Sequence, residues 1–245
     1  MKPVLVLIFF FLSPDLIHAQ GATKTLKADV SGIVYVARFQ KDTLVPTKRR
    51  GRTGVITEVM ANGYYDFALK NLRLLYRVGL GYSQKDMIMN KWSFGDIFFA
   101  FLPFSGGRPD SFRLSSIRYT YDYLNIPLGI SYRLTRNLEK WFQVQAGLQA
   151  NFGFRIGGTT YLTVDPFLAQ PTPSDLEKLK SIYNEGAASV VVGLLPRLDL
   201  AVRIYKNVGI FYSIQFYTLQ LNSLQGKIIK GGTGVGGGIG IYVNL

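Results

Sequence analysis

Residues 141–155, WFQVQAGLQANFGFR, alternate without a break. Phe142, Val144, Ala146, Leu148, Ala150, Phe152 and Phe154 fall on one side. Trp141, Gln143, Gln145, Gly147, Gln149, Asn151, Gly153 and Arg155 fall on the other. A period of two belongs to a β-strand with unlike faces, whereas a helix would scatter both sets around its circumference. The preceding stretch repeats the pattern. Leu124, Ile126, Leu128, Ile130, Tyr132 and Leu134 share one face, opposite Asn125, Pro127, Gly129, Ser131 and Arg133.

Working outward, residues 26–37, 53–65, 72–84, 186–199, 207–219 and 234–245 carry weaker versions of the same signal. With 123–134 and 141–155 they make eight strands, an even number as single-chain outer-membrane barrels have. The connections alternate between long and short, the short ones being only about 6 to 7 residues, which is the topology of long extracellular loops and tight periplasmic turns. The short turns share a dipeptide: Lys70-Asn71, Arg136-Asn137 and Lys206-Asn207. Asn tolerates the positive φ that hairpin turns demand. The expected fold is therefore all-β, an eight-stranded antiparallel transmembrane barrel.

Alternation does not itself say which face meets lipid, since a soluble barrel has the mirror pattern. The polar faces of 123–134 and 141–155 hold amides, Ser, Gly and lone Arg rather than Lys and Glu. That suits a crowded interior filled by hydrogen bonds. Tyr64, Tyr65, Tyr119, Tyr121, Tyr132, Trp141 and Phe154 lie near segment ends, where interfacial girdles form. The last segment, with Gly240, Val243 and Leu245, ends on an apolar residue and is expected to be the strand that closes and inserts the barrel.

The N-terminus reads as an export address. Lys2 precedes the apolar run Val4–Leu12, and Ile17-His18-Ala19 offers a cleavage site before Gln20. Residues 1–19 are thus expected to be a signal peptide and 20–245 the barrel domain. The run is too short for a transmembrane helix, which needs about 20 residues. With no cysteine, and a single histidine inside the expected leader, the mature chain has neither a thiolate nor an imidazole. No Gly-x-Ser-x-Gly elbow appears, so an enzyme is not expected. No cofactor is expected either. The formal charge of +13 predicts attraction to anionic partners, and export argues against nucleic acid.

Two groups of residues are candidates for a working site. Glu58 is placed to pair inside the barrel with Arg73 or Arg77, with Arg133 and Arg155 nearby. In a barrel just wide enough for side chains to fill, such charges should form a plug. Lys48, Arg49, Arg50 and Arg52, in the first long loop, are a candidate anion-binding cluster for lipopolysaccharide or an acidic partner. Ser174-Asp175-Leu176-Glu177 has the capping-box pattern, with Leu179 and Tyr183 following at helical spacing, so a short helix is expected at the barrel mouth. The glycines of 231–238 lack the following helix and Lys-Ser or Lys-Thr of a phosphate loop, and are expected to serve strand packing.

The signal ending Ala19-Gln20, the Tyr123-Leu124-Asn125-Ile126-Pro127-Leu128 strand and the Gly-rich last strand resemble the PorT-like outer-membrane β-barrel family of Bacteroidota-type bacteria. Leu245 stands where that family usually ends in Phe. The resemblance implies an outer-membrane location, insertion by barrel-assembly machinery and a part in envelope or secretion assembly. Three functional readings stay open. One is a non-enzymatic barrel that binds a partner through its surface loops. A narrow channel is the second, and a soluble periplasmic barrel holding an apolar ligand is the third.

Overall fold

The computed structural model describes residues 24–39, 53–68, 73–90, 114–135, 141–164, 172–174, 176–177, 180–181, 188–222 and 229–245. The expected leader and the basic loop residues Lys48, Arg49, Arg50 and Arg52 lie outside them. Eight strands are present: β1 (Lys24–Phe39), β2 (Thr53–Ala68), β3 (Leu74–Asn90), β4 (Leu114–Arg133), β5 (Phe142–Val164), β6 (Val190–Tyr205), β7 (Val208–Asn222) and β8 (Ile229–Asn244). Each pairs antiparallel with its neighbours in sequence, and β8 pairs with β1 to close the barrel. Closure leaves no strand edge inside the wall, which is what a backbone in hydrocarbon requires.

The alternation sorts side chains as the sequence requires. Gln143, Gln145, Gln149 and Asn151 are buried in the lumen, whereas Leu148 and Phe154 are exposed outside. On β4, Asn125 and Arg133 are buried, while Leu124, Leu128, Ile130 and Tyr132 face out. Ile126 and Phe142 share the outward parity and are half-buried.

On β8 the inward positions Gly234, Gly236, Gly238 and Gly240 are bare, and lumen side chains of β1 and β7 occupy the space they leave. A Cβ on Gly240 would collide with the Ala28 carbonyl oxygen and come within 2.6 Å of the Phe211 ring. Gly240→Val is expected to destabilise the barrel by about 1–3 kcal/mol, the usual cost of overpacking. Urea unfolding in detergent micelles measures this, and an unchanged midpoint would show the contact to be slack. Val243 pairs with Leu26 of β1 and Val208 of β7. The Leu245 N–H donates to the Lys24 carbonyl at 2.9 Å, so the seam holds to the last residue.

Three sequence expectations are corrected. Strands β3, β4 and β5 run well past residues 84, 123 and 155 toward the long-loop end. A bulge explains the missed part of β5: Tyr123 pairs with Arg155, but Asp122 pairs with Gly157. The extra residue, Ile156, flips the parity, so the continuous alternation of the sequence breaks there. In the third hairpin the positive φ falls on Lys206, at 35°, rather than on Asn207. Positive φ at the first central residue alone is the type II′ pattern. The corresponding Lys70-Asn71 and Arg136-Asn137 lie outside the described residues. The helical segment begins at Pro173, with the Leu176 N–H donating to the Thr172 carbonyl at 3.1 Å. Thr172 therefore takes the cap position expected for Ser174, because Pro173 is suited to the first helical turn. Leu179 and Tyr183 lie outside the described residues.

Candidate functional site

The lumen is filled by ions that reach across it. Near the turn end, Lys27 and Asp29 come from β1, Asp66 from β2, Arg77 from β3, and Arg197 and Asp199 from β6. The register sets Asp66 directly beside Arg77, and Arg77 grips it with both arms, Nε–Oδ1 at 2.7 Å and Nη2–Oδ2 at 2.8 Å. Lys27 Nζ lies 3.0 Å from Asp66 and 3.4 Å from Asp199. Arg77 crosses the lumen to Asp199 at 3.2 Å. Arg197 holds Asp199 at 2.6 Å and Asp29 at 2.9 Å.

Neutral groups complete the shell. Gln149 Oε1 accepts from Arg77 at 3.2 Å and Arg197 at 3.1 Å. Asn62 and the Tyr64 hydroxyl donate to Asp29 at 3.0 and 3.1 Å. Both guanidiniums also stand by the Tyr64 ring, 4.6 and 5.2 Å from its centre. Three cations thus meet three carboxylates, and all six side chains are almost wholly shielded. Beside the layer lies a void of only about 10 Å³, lined in part by Arg77, Gln145, Gln149, Arg197 and Asp199. That is about the room one water occupies.

Nearer the long-loop end a second pair forms. Glu58 takes a 2.7 Å hydrogen bond from the Tyr35 hydroxyl and a 3.3 Å ion pair from Lys85. The structure does not bring Glu58 to Arg73 or Arg77, because the β2–β3 register places Lys85 opposite it. Arg73 sits at the turn end, donating to the Tyr132 hydroxyl at 3.3 Å. Arg133 is buried on the inward face of β4. Arg155 stands at the rim, its guanidinium 5.9 Å from the centre of the Tyr121 ring.

Sequence reasoning missed Lys27, Asp29, Asp66, Lys85, Arg197 and Asp199. Their signal was parity. Each is a charged residue on the inward register of its strand, and Arg197 with Asp199 are two apart on one face.

Outside, the wall is apolar. Val30, Val59, Leu128, Leu148, Ile210, Ile239 and Ile241 are each 40–62% exposed. Among the described residues, the outward positions of 26–36, 59–67, 74–82, 124–134, 142–156, 190–204, 208–221 and 235–245 hold no charged side chain. The stretch from Leu124 to Leu134 is about eleven residues, and a tilted strand needs roughly 9–11 to cross a bilayer. Polar groups begin beyond it: Arg118 pairs with Asp86, and Asp122 accepts from Gln84 at 3.1 Å.

Tyr65, Phe67 and Tyr76 stack outside near the turns, with ring centres 5.8 Å apart, and Trp141 and Tyr205 are exposed at the same end. Tyr64, Tyr119 and Tyr121 do not join a girdle as expected. They are buried in the lumen, because their parity is that of Glu58 and Asn125, and a hydroxyl such as Tyr64's has ion partners there.

No family model matches the chain, and no curated protein matches it. Among solved structures it is similar to Neisserial surface protein A at 10% identity, over 92% of this chain and 100% of that one, with a TM-score of 0.41. The outer membrane protein OprG from Pseudomonas aeruginosa aligns at 11% identity over 91% and 96%, with a TM-score of 0.44. Ail of Yersinia pestis, in complex with the heparin analogue sucrose octasulfate, aligns at 10% identity over 89% and 98%, with a TM-score of 0.30. Likeness of this size carries no statement about function.

The chain's own wall is the informative feature. A closed antiparallel sheet with an uncharged apolar exterior, flanked by aromatics at the turn end and by ion pairs at the loop end, is the wall of a transmembrane barrel. Barrels of this kind sit in outer membranes.

Above the lipid, β5 continues to Val164 with β4 on one side, while its pairing with β6 ends at Phe154↔Val190. A cleft of about 580 Å³ opens there, between Arg155, Gly158, Thr159, Thr160 and Tyr161 of β5 and Glu177, Lys180 and Ser181 of the helical segment. Lys180 is tied to Glu177 at 2.7 Å.

Proposed function

We propose that this chain is a non-enzymatic outer-membrane barrel that acts by binding a partner at its long-loop rim, and that its lumen does not conduct. The carrying observation is the ion layer, in which side chains from β1, β2, β3 and β6 meet across the whole bore. An ion entering would have to displace charge pairs held in a low-dielectric interior, where their attraction is strong. The rim, by contrast, presents projecting strands, an open cleft and the long connections. The resemblance to PorT-like barrels makes envelope or secretion assembly the setting for that partner, and the basic first loop favours an acidic protein or lipopolysaccharide.

Planar-bilayer recording tests this. The folded protein, verified by its heat-modifiable band, is expected to give no unitary current steps in concentrated KCl. Reproducible steps whose size changes with Glu58→Gln would establish the narrow-channel reading instead.

A further inference from the structure

The three connections at the turn end are one-sided in charge. Residues 69–73, 134–141 and 206–207 join β2 to β3, β4 to β5 and β6 to β7. They hold Lys70, Arg73, Arg136, Lys140 and Lys206 against Glu139 as their one carboxylate side chain. Whichever cation Glu139 meets, it neutralises a single charge, so five cations against one carboxylate leave +4.

The wall sets these connections side by side. The Arg133 N–H donates to the Arg73 carbonyl at 2.8 Å, and the Arg203 N–H to the Trp141 carbonyl at 2.7 Å. The first bond ties the start of β3 to the end of β4, and the second ties the start of β5 to the end of β6. The charges therefore belong to one arc. Its depth follows from the aromatic belt, since Tyr and Trp rings sit at the headgroup level of a membrane. Arg73 donates to the hydroxyl of Tyr132 at 3.3 Å, and Tyr132 faces outward, 41% exposed. Lys206 is exposed, its ammonium 5.3 Å from the centre of the Tyr205 ring. A spanning barrel is ringed by headgroups at this level, so the charge decides which of them are held.

We propose that this arc selects anionic phospholipids from the periplasmic leaflet, their phosphates held by Arg73 and Lys206. A guanidinium presents a planar fork that matches phosphate, and an ammonium adds a compact charge. Each cation near an anionic membrane surface contributes about fivefold in affinity. An acidic protein would meet the same charge, but Arg73 and Lys206 stand against the aromatic belt rather than out in the periplasm, which favours lipid. The site lies at the opposite end of the barrel from the rim and is independent of what binds there.

Trp141 supplies the probe. The chain has two tryptophans, Trp92 and Trp141, and the Trp141 ring lies 5.9 Å from that of Phe142 on the outward register. Trp92→Phe leaves Trp141 as the sole reporter. The full folded chain with that change is placed in vesicles of dibrominated phosphatidylcholine, diluted with unbrominated phosphatidylglycerol or, as baseline, unbrominated phosphatidylcholine. Bromine quenches the indole on contact, so relief of quenching reads which lipid lies beside Trp141.

Phosphatidylglycerol is expected to be preferred by at least about fivefold at low salt. Molar sodium chloride should bring the ratio below about twofold, because it screens exposed charges. Arg73→Gln combined with Lys206→Gln should do the same at low salt, with folding verified by the heat-modifiable band. The salt series needs no further substitution, so it decides the matter if the double variant fails to fold. Equal relief by the two lipids overturns the proposal, as does a preference that survives either molar salt or the folded double variant. Equal relief together with binding of soluble polyglutamate would assign the arc to an acidic protein and likewise overturn it.

Discussion

Replacing Asp199 with alanine is expected to cost about 3–5 kcal/mol, the range found when one member of a buried ion network is removed. Asp199 is the carboxylate that Lys27, Arg77 and Arg197 share, at 3.4, 3.2 and 2.6 Å. Its loss leaves three cations facing Asp29 and Asp66 in a space with almost no water. Arg197 keeps Asp29, and Arg77 keeps its two-armed hold on Asp66, so Lys27, which must share Asp66 with Arg77, carries the excess. Asp199→Asn preserves shape and hydrogen-bonding capacity and should fall between the wild type and the alanine variant. The measurement is reversible denaturant unfolding in micelles or vesicles, followed by tryptophan fluorescence and gel mobility. A cost below about 1 kcal/mol, the scale of solvated ion pairs, would show that water reaches the layer and that the lumen is open.

The second large effect is expected on the opposite face. Leu148 lies outward near the middle of the apolar stretch 142–156 of β5 and is 49% exposed. Leu148→Arg should destabilise the folded state in a bilayer by about 2–4 kcal/mol, the cost of a cation at the midplane of a transmembrane barrel, and the same change near an interface by about 0–1. Leu134, at the turn end of the apolar stripe, supplies the interfacial comparison. The difference between the two positions carries the information, because it depends on depth and not on a general intolerance of arginine. Were the exterior wetted, both changes would stay within the roughly 0.5 kcal/mol typical of exposed sites.

The barrel and its faces were legible in the sequence because a closed sheet with lipid outside and a polar lumen inside enforces a strict period of two on every strand. Residues 141–155 show it most plainly. Legibility failed where that period breaks. The bulge at Ile156 reverses the parity of β5, so the projecting segment to Val164, and with it the rim cleft, had no continuous pattern to follow. The lumen network was legible in kind but not in partners. Glu58 was matched with the cations inside the expected bounds of its neighbouring strand, and Lys85 lay one residue beyond them. Asp66 likewise lay one residue past the expected end of its strand. Register is set by the turn between β2 and β3, and composition does not encode it. The tyrosines failed for another reason. Tyr64 and Tyr121 are amphipathic, and hydrophobicity alone sends them to the lipid, whereas parity and the ions within send them to the lumen.

Which stripe of each strand meets hydrocarbon is most directly measured by collision accessibility of nitroxide labels. The chain has no cysteine, so single cysteines at Leu148, Ile130 and Ile239 can each be labelled cleanly in bilayer-reconstituted protein. All three labels are predicted to be quenched by oxygen, which concentrates in the bilayer, and spared by a water-soluble nickel chelate. Labels at these positions that respond to the chelate and not to oxygen would place the apolar stripe in water and contradict the membrane-spanning barrel.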